Sequence, residues 1–231
     1  MICAIIITTY TREKIIGKAI RSVPWADLIL IVHFTNGEYP PDQTLAVARE
    51  AAGDRLRVID IGEAYGCSQA RNAGLDEATR LGATWALQLD TDEWVQCEGV
   101  NIRETLARVP ALATVLMTWD SHQSYQKARF FRLPASGRFY GFSHEDWRPL
   151  QGVAILPPQI TVCEIPKTVG KMLGNIPHIL DMVSRDLEVE PDNPRWKWYR
   201  NTLLKALELK DQIDEHTMAE MLNRIPQEIK P

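Results

Sequence analysis

Four short, largely apolar runs, separated by segments with helical spacing, constrain this chain more than any other feature. Ile2 to Thr8, Leu28 to Val32, Leu56 to Ile61 and Thr84 to Leu89 each read as a strand. The first two lack the polar alternation of a half-solvated strand, so both their faces should be buried under helices, as in a parallel sheet. Between the runs, Ile15, Ile16, Ala19, Ile20 and Val23 have helical spacing over residues 12–23, which Pro24 ends. Leu45, Ala48 and Ala52 do the same over 43–52, and a third helix is expected over 66–81. Repeated β–α–β units predict an α/β fold with a parallel, doubly wound sheet.

Beyond residue 99 the pattern changes. A helix over about 100–108 leads to a strand at Ala113–Thr118, then to aromatic-rich short strands around 129–142. Two more strands are expected in 152–165, split by Pro157-Pro158, and the tail from 175 should be helical. Asn193 followed by Pro194 reads as a helix cap with proline at the first helical position. Trp196, Tyr199, Leu203 and Leu207 then form one apolar stripe, read as core packing rather than a ligand box.

The formal charge of −4 argues against nucleic acid as a partner, since phosphate-backbone binding needs a basic surface. Cys3, Cys67, Cys97 and Cys163 are scattered without metal-like spacing and suit the reduced thiols of a cytoplasmic protein. With no basic leader and no apolar run of ~18 residues, neither an export signal nor a membrane span is expected.

The fourth apolar run ends in Asp90-Thr91-Asp92-Glu93. Two carboxylates one residue apart, at the carboxyl end of a buried strand, offer hard oxygen ligands suited to Mg²⁺ or Mn²⁺. In an open α/β sheet the ligand crevice lies beyond those strand ends. A lone D-x-D also serves as an ordinary turn. Arg71 falls in the first turn of its helix, where the backbone is already positive, so an anion or a base should lie near it. The alternative is a surface arginine.

Four segments together resemble family 2 glycosyltransferases of the GT-A fold. They are Ile5-Ile6-Ile7-Thr8-Thr9-Tyr10-Thr11-Arg12, Ala70-Arg71-Asn72-Ala73-Gly74-Leu75, Leu89-Asp90-Thr91-Asp92-Glu93 and His144-Glu145. The last resembles the H-E pair of a soluble subgroup whose helical tail opens much like Pro191-Asp192-Asn193-Pro194-Arg195. The resemblance implies a GT-A domain over 1–175, with a nucleotide-binding half at 1–95 and an acceptor half at 96–175, followed by a helical extension over 176–231. It implies a nucleotide-diphosphate sugar as donor, taken as a UDP-sugar, and an acceptor that is a saccharide, lipid-linked or a protein.

By the same resemblance, Thr8, Thr9, Tyr10, Arg12, Arg71, Asp90 and Thr91 would hold the donor. Asp90 and Asp92 would bind the metal, Asp92 directly, with His178 as a late third ligand. Pro177-His178 itself reads as a helix start. Glu93 would support the metal site or simply open a helix. Glu145 would take the acceptor's proton in an inverting transfer, with Asp146 as the alternative and His144 orienting the carboxylate. Trp119, His122, Tyr125, Phe139, Tyr140 and Trp147 could stack on sugars or fill the core. One departure stands out. Members carry an acidic residue after the second strand to read the base, where this chain has Val32-His33-Phe34-Thr35-Asn36. Two rival readings stay open: a nucleotidyltransferase, which would want a glycine-rich turn after the first strand, and a non-catalytic module of the same fold.

Overall fold

The computed structural model describes residues 1–35, 40–64, 66–118, 124–142, 146–149, 152–166, 168–214, 217–218 and 221–222. The chain divides into two compact units, Met1–Tyr140 with Asp146–Ile165, and Gly141–Glu145 with Pro166–Pro231.

The first unit opens with β1 (Ile2–Thr8), α1 (Ile16–Arg21), β2 (Leu28–Thr35), α2 (Thr44–Ala52), β3 (Leu56–Glu63), α3 (Cys67–Arg80) and β4 (Trp85–Asp90). It continues with β5 (Glu93–Cys97), α4 (Ile102–Ala107), β6 (Leu112–Thr118), β7 (Ser124–Arg132), β8 (Arg138–Tyr140), β9 (Asp146–Arg148), β10 (Val153–Ile155) and β11 (Ile160–Glu164). The main sheet runs β3-β2-β1-β4-β7-β6-β11-β5, with β10 beside β6. Its first four strands are parallel. β7 then pairs antiparallel with both β4 and β6.

Every residue of β1 is buried, which is why its sequence does not alternate. Ile2, Ala4 and Ile6 pack in one core with Ile16, Ala19 and Ile20 of α1 and Ala48 of α2. Cys3, Ile5 and Ile7 pack in the other, with Ala70, Leu75 and Ala78 of α3. Gly74 lets α3 approach the sheet closely: a Cβ there would lie 2.6 Å from Ile5 Cγ2 and 3.1 Å from Val32 Cγ2.

The second unit holds α5 (Val169–Val189) and α6 (Pro194–Leu209). Ile176 and Val183 of α5 share a core with Trp196, Tyr199, Leu203 and Ala206 of α6. The stripe on α6 therefore is core. Asn193 caps α6 by accepting from the Arg195 N–H at 2.9 Å, ahead of Pro194. Gly141, at φ +93°, lies against Trp196, and any Cβ there would come within 2.8 Å of the indole.

Three expectations are corrected. Glu93 opens a strand, β5, rather than a helix. Pro177 sits inside α5, which begins at Val169 with Thr168 as its cap, so Pro177-His178 is not a helix start. α1 spans only Ile16–Arg21, with turns over the residues just before it.

Candidate active site

The acidic motif is a tight corner at the carboxyl edge of the sheet, where the chain leaves β4 for a strand that does not pair with it. Asp90 is the last residue of β4, Thr91 and Asp92 make the turn, and Glu93 is the first residue of β5. The Asp90 N–H donates to Glu93 Oε2 at 2.9 Å, closing the corner on itself. The Ile165 N–H donates to the Asp92 carbonyl at 2.9 Å, tying the turn to the segment after β11. Asp92 is half-buried there and Thr91 is buried.

Arg71 points into this corner. Its helix starts at Cys67, so Arg71 lies in the second turn rather than the first. It is 2% exposed, which removes the surface-arginine alternative. Its Nη2 donates to Asp90 Oδ1 at 2.7 Å. The anion beside it is thus the chain's own carboxylate. Gln88, fully buried two residues earlier on the same strand face, donates to the Arg71 carbonyl at 3.0 Å and steadies α3 against β4. Asn72 next to it exchanges two 2.9 Å hydrogen bonds with the Phe139 backbone, pinning β8.

A second arginine, absent from the sequence reading, completes the cluster. Between β6 and β7, Ala113 faces Phe130 and Thr114 faces Ala128, which leaves Arg129 as the extra residue of a β-bulge. The bulge aims Arg129, 1% exposed, at Glu93, with which it is ion-paired, and its Nη2 lies 3.8 Å from Asp90 Oδ2. Burial pushes the Glu93 carboxyl above its ordinary value while the Arg129 guanidinium pulls it down. Lys127, half-buried on the same strand, has its ammonium pushed below its usual range, first by burial and then by Arg129. An isolated ion in such a place costs several kcal/mol, so two buried guanidiniums require the two carboxylates. The sequence carried only a faint signal for this cluster: Arg129 lies just ahead of the apolar pair Phe130-Phe131, but Ser124, Gln126, Lys127 and Arg132 make the strand polar elsewhere.

The donor-side residues gather one strand over. Ile7 lies opposite Asp90, Thr8 opposite His33, and His33 opposite Asp60. The Thr8 hydroxyl donates to the Thr9 carbonyl at 2.8 Å, and the Thr9 hydroxyl to the Tyr10 carbonyl at 3.2 Å. The Tyr10 ring packs on His33 with centroids 4.4 Å apart. Thr11 has φ +66°, a strained conformation for a β-branched residue and the kind of strain that collects at ligand sites. Its turn is held from α2: the Arg12 N–H donates to Thr44 Oγ1 at 2.9 Å, and the Arg12 guanidinium bonds the Thr11 carbonyl and hydroxyl. These contacts make Arg12 a brace for the turn.

His144 and Glu145, with Trp119 and His122, lie outside the described residues. Asp146 opens β9 opposite Tyr140. Phe139 packs edge-on against both Trp147 and Phe131, and Trp147 lies tilted against Phe131, as core. Tyr140 is exposed and Tyr125 half-buried. His178 is exposed on α5, in the second unit. Among the described residues no three His, Cys, Asp or Glu side chains converge as a metal site, and no helix is long and apolar enough to cross a membrane.

A family model described as "Glycosyl transferase family 2" matches residues 4–140. No curated protein matches the chain. Among solved structures, S. aureus TarS is similar with TM-score 0.56 at 12% identity, over 97% of this chain and 42% of that one. S. aureus TarS 1-349 in complex with UDP gives 0.53 at 13%, over 98% of this chain and 71% of the other. GalNAc-T7 with UDP, GalNAc and Mn²⁺ gives 0.54 at 13%, over 99% of this chain and 56% of that one. At such identities the likeness is one of fold, and this chain spans less than half of the first structure.

Proposed function

Because the chain belongs to glycosyl transferase family 2, we propose that it moves a sugar from a nucleoside-diphosphate donor to an acceptor hydroxyl, inverting the anomeric centre. Its fold is that of the GT-A glycosyltransferases it is similar to. The observation that carries the reading is the corner at Asp90-Thr91-Asp92-Glu93, stiffened by two buried arginines at the ligand edge of the sheet.

The donor set fits a hard cation. Asp90 has one oxygen on Arg71 and the other facing Arg129, so Asp92 would hold Mn²⁺ or Mg²⁺ and Asp90 would stand behind it. A cation held by so few protein oxygens keeps waters and shares itself with substrate phosphates. Bound there, it would supply positive charge to the departing diphosphate. The UDP and Mn²⁺ of the GalNAc-T7 structure are in keeping with such a site. Arg129 adds positive charge near the second Asp90 oxygen, the one that Arg71 does not hold.

In the transfer, the acceptor oxygen attacks the anomeric carbon as the bond to the diphosphate oxygen breaks and takes its electron pair to the diphosphate. The acceptor's proton goes to a carboxylate, assigned to Glu145 with Asp146 as the alternative. Residues 1–95 would bind the donor and 96–175 the acceptor, a saccharide, a lipid-linked group or a protein. The four free cysteines are in keeping with the reducing cytoplasm.

Asp92→Asn tests the core of this reading. The variant should keep its melting temperature and lose Mn²⁺-dependent UDP affinity by calorimetry; unchanged affinity would move the metal elsewhere. Glu145→Gln should lower transfer by ~10²–10⁴ with donor affinity kept, while Asp146→Asn stays mild. The reverse pattern would assign the base to Asp146.

A further inference from the structure

His33 is a buried polar side chain with a function still to fill. It is 2% exposed, and its Nδ1 lies 3.2 Å from Asp60 Oδ2. Its Nε2 is closed to solvent and has no hydrogen-bond partner. A buried polar atom left unbonded costs folding free energy, so an orphan in a ligand crevice points to a bond made only when the ligand arrives. The crevice is the right one: His33 lies beside Thr8 at the carboxyl end of the parallel strands, under the Tyr10 ring.

The other ring nitrogen dictates what kind of group is missing. The sheet bulges just past the pair: His33 faces Asp60, but Thr35 faces Glu63, and Gly62 takes φ +69°. The bulge brings the Gly62 N–H onto Asp60 Oδ1 at 2.8 Å, which together with the His33 hydrogen bond holds the carboxyl below its ordinary value. An ionised Asp60 only accepts, so Nδ1 carries a proton, and an imidazole holding that one proton presents a bare acceptor at Nε2. A ring lactam N–H beside a carbonyl satisfies that acceptor, as on uracil or guanine. The corresponding ring nitrogens of cytosine and adenine are themselves acceptors, so a base seated in the same pose would set acceptor against acceptor and could serve Nε2 only by shifting to offer its exocyclic amine.

We infer that His33, held in this tautomer by Asp60, reads the donor's nucleobase and selects a lactam base over an aminopyrimidine or aminopurine one. The Tyr10 ring, which packs on His33, would lie against a base bonded to Nε2. His33 is the residue in contact with substrate, and Asp60 is a positioning residue. The inference rests on the donor-transfer reading above and adds the base class to it.

The test is calorimetry at pH 8, where an ordinary imidazole is neutral, with UDP, GDP, CDP and ADP at fixed Mn²⁺, and Mn²⁺–pyrophosphate as reference. The parent should bind UDP or GDP at least tenfold tighter than CDP and ADP, and the first two arms separate uracil from guanine. His33→Phe, which keeps a ring under Tyr10 and removes Nε2, should level the four affinities while pyrophosphate binding stays. Should His33→Phe fail to fold, Asp60→Ala serves, since that side chain is 62% exposed. Freed of Asp60, the proton can move to Nε2, and the uracil-to-cytosine preference should fall several-fold, which a merely structural role would not produce. Equal binding of all four by the parent, or an unchanged preference in the variants, overturns the inference and leaves the metal site standing. Failure of the parent to bind any of the four, or pyrophosphate, overturns both.

Discussion

Two β-bulges shape the site, one in mid-sheet on β7 and one at the carboxyl end of β2, and they treat charge in opposite ways. The bulge on β7 buries Arg129 against Glu93 and near Asp90, whose other oxygen is taken by Arg71. The bulge between β2 and β3 leaves Asp60 largely in water and His33 with a bare ring nitrogen. One cluster has its charges matched from within, so it serves as a rigid wall. The other is one bond short, so it serves as a reader. A site needs both, because positioning demands groups that do not move and selection demands a group still seeking a partner.

The contrast predicts a graded series in urea unfolding. Arg129→Ala should have the largest effect, about 3–5 kcal/mol, because it strands the buried Glu93. An Arg129→Ala midpoint equal to the parent's would break the comparison outright. Replacing both partners sharpens it: Glu93→Leu with Arg129→Met should recover most of that loss, since apolar side chains of similar volume often replace a buried ion pair without cost. Arg71→Ala should come next, at about 1.5–3 kcal/mol for one charge-assisted hydrogen bond, because Asp90 keeps 29% of its side chain exposed and Arg129 near. The same change should weaken UDP binding about tenfold, the factor that ~1.4 kcal/mol represents. Asp60→Ala should be the mildest, under about 1 kcal/mol, because the carboxylate that is removed lies largely in water. A loss from Asp60→Ala that rivals Arg129→Ala would mean that His33 too is part of the wall.

The parts read correctly ahead of the structure share a cause. β1, β2 and β4 sit between neighbours with helices on both faces, so their residues must be apolar throughout and the runs stand out. The cap at Asn193 and the stripe from Trp196 depend only on spacing along one helix. β5 failed that treatment. Glu93-Trp94-Val95-Gln96-Cys97 opens on a charge, and its partner β11 lies far along the chain. α5 was misread because Pro177 imitates a helix start, yet the helix passes through it.

By itself, then, the sequence determined the layered α/β architecture, the position of the acidic corner at the end of β4 and the family, since each follows from residues close together in the chain. Only the tertiary structure decided which charges meet. Arg71 finds Asp90 across 19 residues, His33 finds Asp60 across 27 and Arg129 finds Glu93 across 36. Those pairings are set by helix-on-sheet packing, strand register and single-residue bulges, and a one-residue slip would turn each strand's side chains to the other face.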